Sequence, residues 1–437
     1  MAGRVKMIRV GGAGVLGVGF PVAGVVGLVA LAALAGSSAP RAKAPHLPLD
    51  LDSTELNQLL SEQGKSLKAK RLDPILGWGK RNLDWLIHLN SLRPDSAKLS
   101  FTSKATQTGI PIDAPSRYSP ALIESRVAAL KALLPAEMNR VLENSALPYP
   151  DSLSISEADY ISFGRQVDKL YQSATRWTLL EPYLDELAQS AQEDIRGFYY
   201  LEHLDGRDEK LADVSKLSPE LRALTVDALV GVCFNSEGAL DRCRTKLGDA
   251  LAVSSDLSAF YAKYRPDAQA IFDGFFQISD QAARHRRDFV WGDTSSMLPF
   301  TDPGVDTLRH FLADNIEDEW RFDGWSFHLE FRPQAGPYLA FAAGSTPHVD
   351  GLGGNRITMD ANTPLSEYNV QWTIRHEFGH VLGFPDCYIE FYDEPNAEMV
   401  NYQIDIQNLM CSRVGHIQKR HVEELRRAYS KTIETAG

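Results

Sequence analysis

Cysteine is scarce in this chain: four residues in 437, with no C-x-x-C pair among them. A disulfide scaffold needs a much higher density of cysteine, so that class is excluded, although an even count leaves room for two bridges. Clusters of Lys and Arg interleaved with aromatics are also missing, and the formal net charge is -12. A nucleic acid is therefore not an expected partner, because a phosphate-contacting surface needs gathered positive charge. Disorder is excluded by a hydrophobic content of 44%, which is enough to build cores. No internal repeat occurs, and a globular chain of this length is expected to hold two or three domains.

Charge itself is absent from Val10 to Ala39, directly after the positive residues Arg4, Lys6 and Arg9. Residues 1–39 therefore read as an export signal, with small residues at Ala33-Leu34-Ala35 and Ser37-Ser38-Ala39 for cleavage. The uncharged run is longer than a usual signal core, so the alternative is an uncleaved membrane anchor through residues 10–35, and a membrane is a partner only in that case. Gly12, Gly14 and Gly17 match G-x-G-x-x-G, but no acidic ribose-binding residue follows about 20 positions on, so a dinucleotide fold is rejected. The polar, Pro-rich residues 40–52 read as a linker. Export implies an oxidising destination, where Cys233 with Cys243 and Cys387 with Cys411 become candidate disulfides; four separate buried thiols are the alternative.

From residue 53 to 283 the apolar residues recur at helical spacing. Helix starts are expected at Ser119-Pro120, leading into Leu122, Val127, Leu130, Leu133 and Leu134, at Ser156, and at Ser218-Pro219, leading into Leu221, Leu224 and Leu229. The aromatics Tyr171, Trp177, Tyr183 and Tyr199 fit a helical core better than a cofactor box. After about residue 284 the pattern changes. Strands are expected at Arg287 to Trp291, Trp325 to Phe331, Tyr338 to Ala342 and Arg356 to Asp360, with helices from Val305 to Trp320, from a Ser366 cap through Val381, and from near His416 to Tyr429. The fold class expected is α+β: an all-helical domain over 53–283, then a mixed-sheet domain over 284–437.

Residues 376–386 read His-Glu-Phe-Gly-His-Val-Leu-Gly-Phe-Pro-Asp. His376 and His380 are four apart on a predicted helix, so both imidazoles leave one face and can bind one Zn2+ ion. Glu377 is placed to take a proton from a water on that ion. Gly383, lacking a Cβ, can leave the helix in a left-handed conformation and return Asp386 to the metal as third ligand, with a fourth position open for water.

The motif H-E-x-x-H-x-x-G-x-x-D, with a later Met in Asn408-Leu409-Met410-Cys411, resembles the metzincin zinc endopeptidases, and the Asp in third place resembles their snapalysin-like branch. The resemblance covers about residues 284–437. It implies a mixed twisted sheet, an active-site helix, a Met-turn and a C-terminal helix. It also implies one catalytic Zn2+ on His376, His380 and Asp386, Glu377 as general base, and Met410 beneath the metal. A peptide or protein substrate would lie extended against Arg356, Ile357, Thr358, Met359 and Asp360. Cys387 follows a ligand and Cys411 follows the Met, so their sulfurs are expected to be close if both loops meet at the zinc. Ser412 stands where several relatives carry an oxyanion-assisting Tyr, leaving Tyr388, Tyr402 or His416 as candidates. His348, Asp350 and Asp360 faintly resemble a structural-metal loop, although an exposed polar loop explains them better, and Phe289 to Asp293 resembles an aspartate switch as much as a first strand. The function expected is that of a secreted or periplasmic zinc endopeptidase. The alternative is a zinc-retaining interaction protein whose helical domain is the working part. That helical domain could equally be a propeptide, a substrate-recruiting domain or a partner-binding module, and nothing in the sequence bears on oligomeric state.

Overall fold

The structure is a computed structural model that describes residues 44–45, 47–63, 71–101 and 109–430. The expected leader, its cleavage sites and its glycine motif lie outside the described residues. From residue 44 onward the described residues belong to one compact unit, so the boundary expected at 283/284 marks a change of composition and not a break in space.

Helices dominate up to residue 285, and their starts are set by the expected caps. Ser119, Ser156 and Ser218 each accept a hydrogen bond from the backbone N–H three residues on, and Pro120 and Pro219 occupy the first helical position. Tyr171 and Trp177 are buried in the helix Glu157–Leu180, as core residues should be. Leu133 and Leu224 were expected to face inward, yet they are 67% and 56% exposed.

The region before 284 is not purely helical. Strand β1, Ser116–Tyr118, joins the far end of the chain in an antiparallel sheet of order β1-β9-β8, where β8 is Tyr388–Asp393 and β9 is Glu398–Gln403. Nor does the region behave as a single mixed sheet after 284: the strands form three small sheets. In the second, β2 (Ser295–Thr301) runs parallel to β4 (Trp325–Arg332), with β3 (Arg321–Phe322) antiparallel at the far side. In the third, β7 (Arg356–Asp360) lies between β5 (Tyr338–Ala342), parallel, and β6 (His348–Val349), antiparallel. The strand expected at Arg287 to Trp291 reduces to one bridge between Val290 and Met297. Phe289 and Trp291 are buried there as core, while Asp293 pairs with Arg426 on the last helix, which disposes of the aspartate-switch resemblance.

The helix expected from Val305 to Trp320 starts at Asp306 and passes through a wide π turn at Ala313–Glu317. The metal helix is Tyr368–Val381, with Glu367 and not Ser366 at its cap position. The last helix, Lys419–Tyr429, buries His421, Leu425 and Tyr429 at intervals of one turn.

The expected linker is also corrected for residues 47–52. Leu47 and Leu51 are buried, Arg176 donates to the carbonyls of Leu47 and Pro48, and Asp50 accepts from the backbone N–H of Arg413. Composition reads this passage as solvated. Buried cations that capture its backbone and acids override that reading.

Candidate metal centre

The metal helix ends as its sequence dictates. Gly383 has φ +92°, a conformation open to glycine, and the Phe384 and Gly383 N–H groups bond the carbonyls of Gly379 and His380. That pairing is a Schellman closure, which turns the chain back sharply. Ile278 and Ala282 close over Gly383 at 2.9 and 3.0 Å from where a Cβ would lie, so the turn leaves no space for a side chain. Three residues later Asp386 stands beside both histidines, its Oδ1 3.1 Å from His376 Nε2 and 3.5 Å from His380 Nε2.

Each imidazole is held in one orientation. His376 donates its Nδ1–H to the Leu409 carbonyl at 3.0 Å and His380 donates its own to the Phe384 carbonyl at 2.8 Å, leaving both Nε2 lone pairs for a metal. The ligand atoms of His376, His380 and Asp386 all lie within 4.8 Å of one another, and among the described residues no other His, Cys, Asp and Glu set is so gathered. This set can hold a metal ion. Burial alone would push both imidazole pKa values down, but the Asp386 carboxylate outweighs it; both are raised, His380 to about 9. Binding of a cation at His380 Nε2 would therefore compete with a proton at neutral pH.

Glu377 is 5% exposed, and among the described residues its Oε2 has no hydrogen-bond partner, although the residue lines the same cleft. A buried carboxylate oxygen is costly to leave unpaired, which fits an atom reserved for a ligand or water. The cleft encloses about 400 Å³ and is walled by Pro48, by residues 346–349, 351 and 352, and by His376, Glu377, His380, Asp386 and Tyr388.

Met410 packs directly against the metal helix: a methyl group at Gly379 would collide with its sulfur and come within 3.3 Å of Trp320. Gly379, inside the motif, is thus the seat of Met410. The turn around it is built by Asn408, whose Oδ1 accepts the Met410 N–H at 2.8 Å and the Nε2–H of buried His421 at 3.1 Å. His421 accepts the Gln418 N–H at Nδ1, so both bonds require the neutral ring, and burial holds its pKa down to about 4. Glu319, also buried, accepts from Arg375 on the metal helix and from the Ile417 N–H beyond the turn. Glu319, His421 and Gly379 carry no signal in the sequence reading, and Asn408 enters it only as context for Met410.

Both expected disulfides are present. Cys387–Cys411 joins the loop after Asp386 to the turn after Met410, with a Cα separation of 4.4 Å, and the Cys387 N–H also bonds the Met410 carbonyl. Cys233–Cys243 ties two helices far along the chain from the motif. Two bridges point to an oxidising compartment. No helix among the described residues is long and apolar enough to cross a membrane.

Three other expectations change. Arg356 to Asp360 is the middle strand of its sheet: β5 pairs with all of it, and β6 covers Ile357 and Thr358 on the other side, so an added strand has no free edge at those two residues. Periodicity identifies a strand but not its neighbours, and β6 turns out to be the outer one. Of the three residues considered for oxyanion assistance, Tyr388 lines the cleft, whereas Tyr402 is buried against Asp194 and His416 sits on Glu319 and Trp372. Burial, then the negative charge of Asp386 and Asp50, raises the Tyr388 pKa well above the usual phenol value, so it stays protonated. His348 and Asp350 face each other, with His348 Nε2 3.7 Å from Asp350 Oδ1, but Asp360 does not join them: it accepts from Gly344, Asn362 and Thr363.

No protein-family model, no curated protein and no solved structure matches this chain.

Proposed function

We propose that the chain is an exported zinc endopeptidase of metzincin type. The observation that carries this reading is the pairing of a gathered His376, His380 and Asp386 set with an unpartnered Glu377 oxygen in one open cleft. A protein that only retains zinc needs the first feature and has no use for the second.

Two nitrogens and one carboxylate, with room for a further ligand, suit Zn2+ in its catalytic form. A zinc ion held by these three residues would supply a Lewis acid for a peptide carbonyl and for water. Glu377 would act as the general base, taking a proton at Oε2 and passing it to the leaving amine. Tyr388, which lines the same cleft, is better placed than Tyr402 or His416 to stabilise charge on a carbonyl oxygen. An extended peptide is best accommodated beside the outer strand β6, His348–Val349, which borders the same cleft.

Zinc content and chelator-sensitive cleavage of a generic unfolded protein test this reading. Glu377→Gln should keep the zinc while turnover falls by about 10² to 10⁴-fold. Asp386→Ala should release the zinc and abolish cleavage, and full zinc occupancy in that variant would remove Asp386 from the ligand set. If wild type holds zinc but cleaves nothing, and Glu377→Gln changes nothing, the alternative of a zinc-retaining interaction protein takes its place.

A further inference from the structure

Pro48 belongs to the wall of the metal cleft although it lies far upstream of the motif in sequence. The residues around it are fastened at several points. Arg176 donates Nη1 to the Pro48 carbonyl at 2.7 Å and Nη2 to the Leu47 carbonyl at 2.8 Å. Asp50 accepts the Arg413 N–H at 3.0 Å and faces its Nε at 3.3 Å, while Glu55 takes the two Nη atoms of Arg413 at 3.1 and 3.3 Å. Leu47 and Leu51 anchor the passage in the helical core at 5% and 2% exposure.

The two arginines that hold this passage also hold the metal loops. Arg176 is paired with Glu390 on β8, the strand that begins two residues after Asp386 at cleft-lining Tyr388. Arg413 stands three residues after Met410 and is itself buried. Passage, third-ligand loop and turn beneath the metal are thus referred to the same two guanidinium groups. Such charge-assisted bonds in a buried setting fix geometry.

We propose that residues 47–50 are a fixed strap forming a substrate-binding wall of the metal cleft, and that the strap, with Pro347, Val349 and Leu352, selects peptides carrying an apolar side chain at that wall. The substrate preference rests on the peptidase reading given above. The strap's contact with whatever enters the cleft does not. Proline has no N–H, and the Pro48 carbonyl is already taken by Arg176, so this part of the wall offers apolar surface and no backbone pairing.

The test compares full-length wild type with Pro48→Trp and Pro48→Gly, after zinc content has been measured in each. Calorimetry reads the affinity of two zinc-directed probes: acetohydroxamate, which reaches the metal alone, and a peptidyl hydroxamate with an apolar side chain. Acetohydroxamate should bind all three proteins alike. The peptidyl probe should bind wild type more tightly than acetohydroxamate and lose about tenfold or more in Pro48→Trp, with a smaller loss in Pro48→Gly. Where wild type cleaves a peptide library, the preferred side chain should shift in Pro48→Trp. Equal peptidyl affinity in all three zinc-loaded proteins overturns the strap. So does tighter binding in Pro48→Gly, which would make the passage an obstruction, or loss of zinc in the variants, which would place its role at the metal. A wild type that shows the probe pattern but cleaves no peptide retires the peptidase reading and leaves the wall standing.

Discussion

Each disulfide lies in a region of its own, and the two regions differ in how far they depend on the rest of the chain. Cys387–Cys411 sits where the third-ligand loop, the turn under Met410, the strap and β1 converge from distant parts of the sequence. Cys233–Cys243 sits in a helical lobe whose buried residues, from Phe198 to Ala268, form a core of their own. The metal region is therefore held by contacts between segments, including the buried Arg176–Glu390 pair, with Tyr118 and Asn401 on the same carboxylate. The lobe is held mainly by helices adjacent in sequence, and it meets the remainder at points such as the hydrogen bonds between Asn235 and Gln192. A local motif can supply ligands, but the cleft around them is a long-range construction.

The contrast can be broken most directly at Arg176. Its side chain and that of Glu390 are 6% and 9% exposed, so Arg176→Met should strand a buried carboxylate and cost about 3–5 kcal/mol of global stability. Urea unfolding measures this, and a loss below about 1 kcal/mol would mean the regions are not interlocked there. Next in size is the pH response of the turn that carries Met410. His421 has its pKa lowered from 6.5 to about 4, chiefly by burial, so the folded state binds fewer protons than the unfolded one between those values. Stability linked to His421 is present above pH 6.5 and is lost as pH falls toward 4, by a total on the order of 3 kcal/mol. Unfolding curves of wild type and His421→Gln across that range should diverge, and parallel curves would refute the linkage. The smallest effect is expected in the lobe. Replacing Cys233 and Cys243 together by Ser should cost about 2–3 kcal/mol, as a short closed loop dictates. Amide exchange should rise in the helices Pro219–Glu237 and Leu240–Val253 while zinc affinity stays unchanged; a fall in zinc affinity would erase the distinction between the regions.

Legibility followed the same division. The ligand set, the left-handed Gly383 and three serine helix caps were readable because each depends on residues within a turn or two. Strands β8 and β9 were missed. Five of the six residues of β9 are buried, so the alternation that marks a half-buried strand is absent there. Residues 47–52 read as a solvated linker because nothing nearby in sequence announces Arg176 or Arg413. Strand β7 was recognised, but its flanking by β5 and β6 depends on register, which a single segment does not carry.

The sequence by itself determined that His376, His380 and Asp386 can gather as metal donors with Glu377 beside them, and the turn that returns Asp386, since helix periodicity and glycine's freedom act over a few residues. Only the tertiary structure decided that Gly379 seats Met410, that Tyr388 is the phenol in the cleft, and that Pro48 walls it. Those placements come from burial and ion pairing between segments far apart in sequence, and the energy of such contacts exists only once the chain has closed on itself.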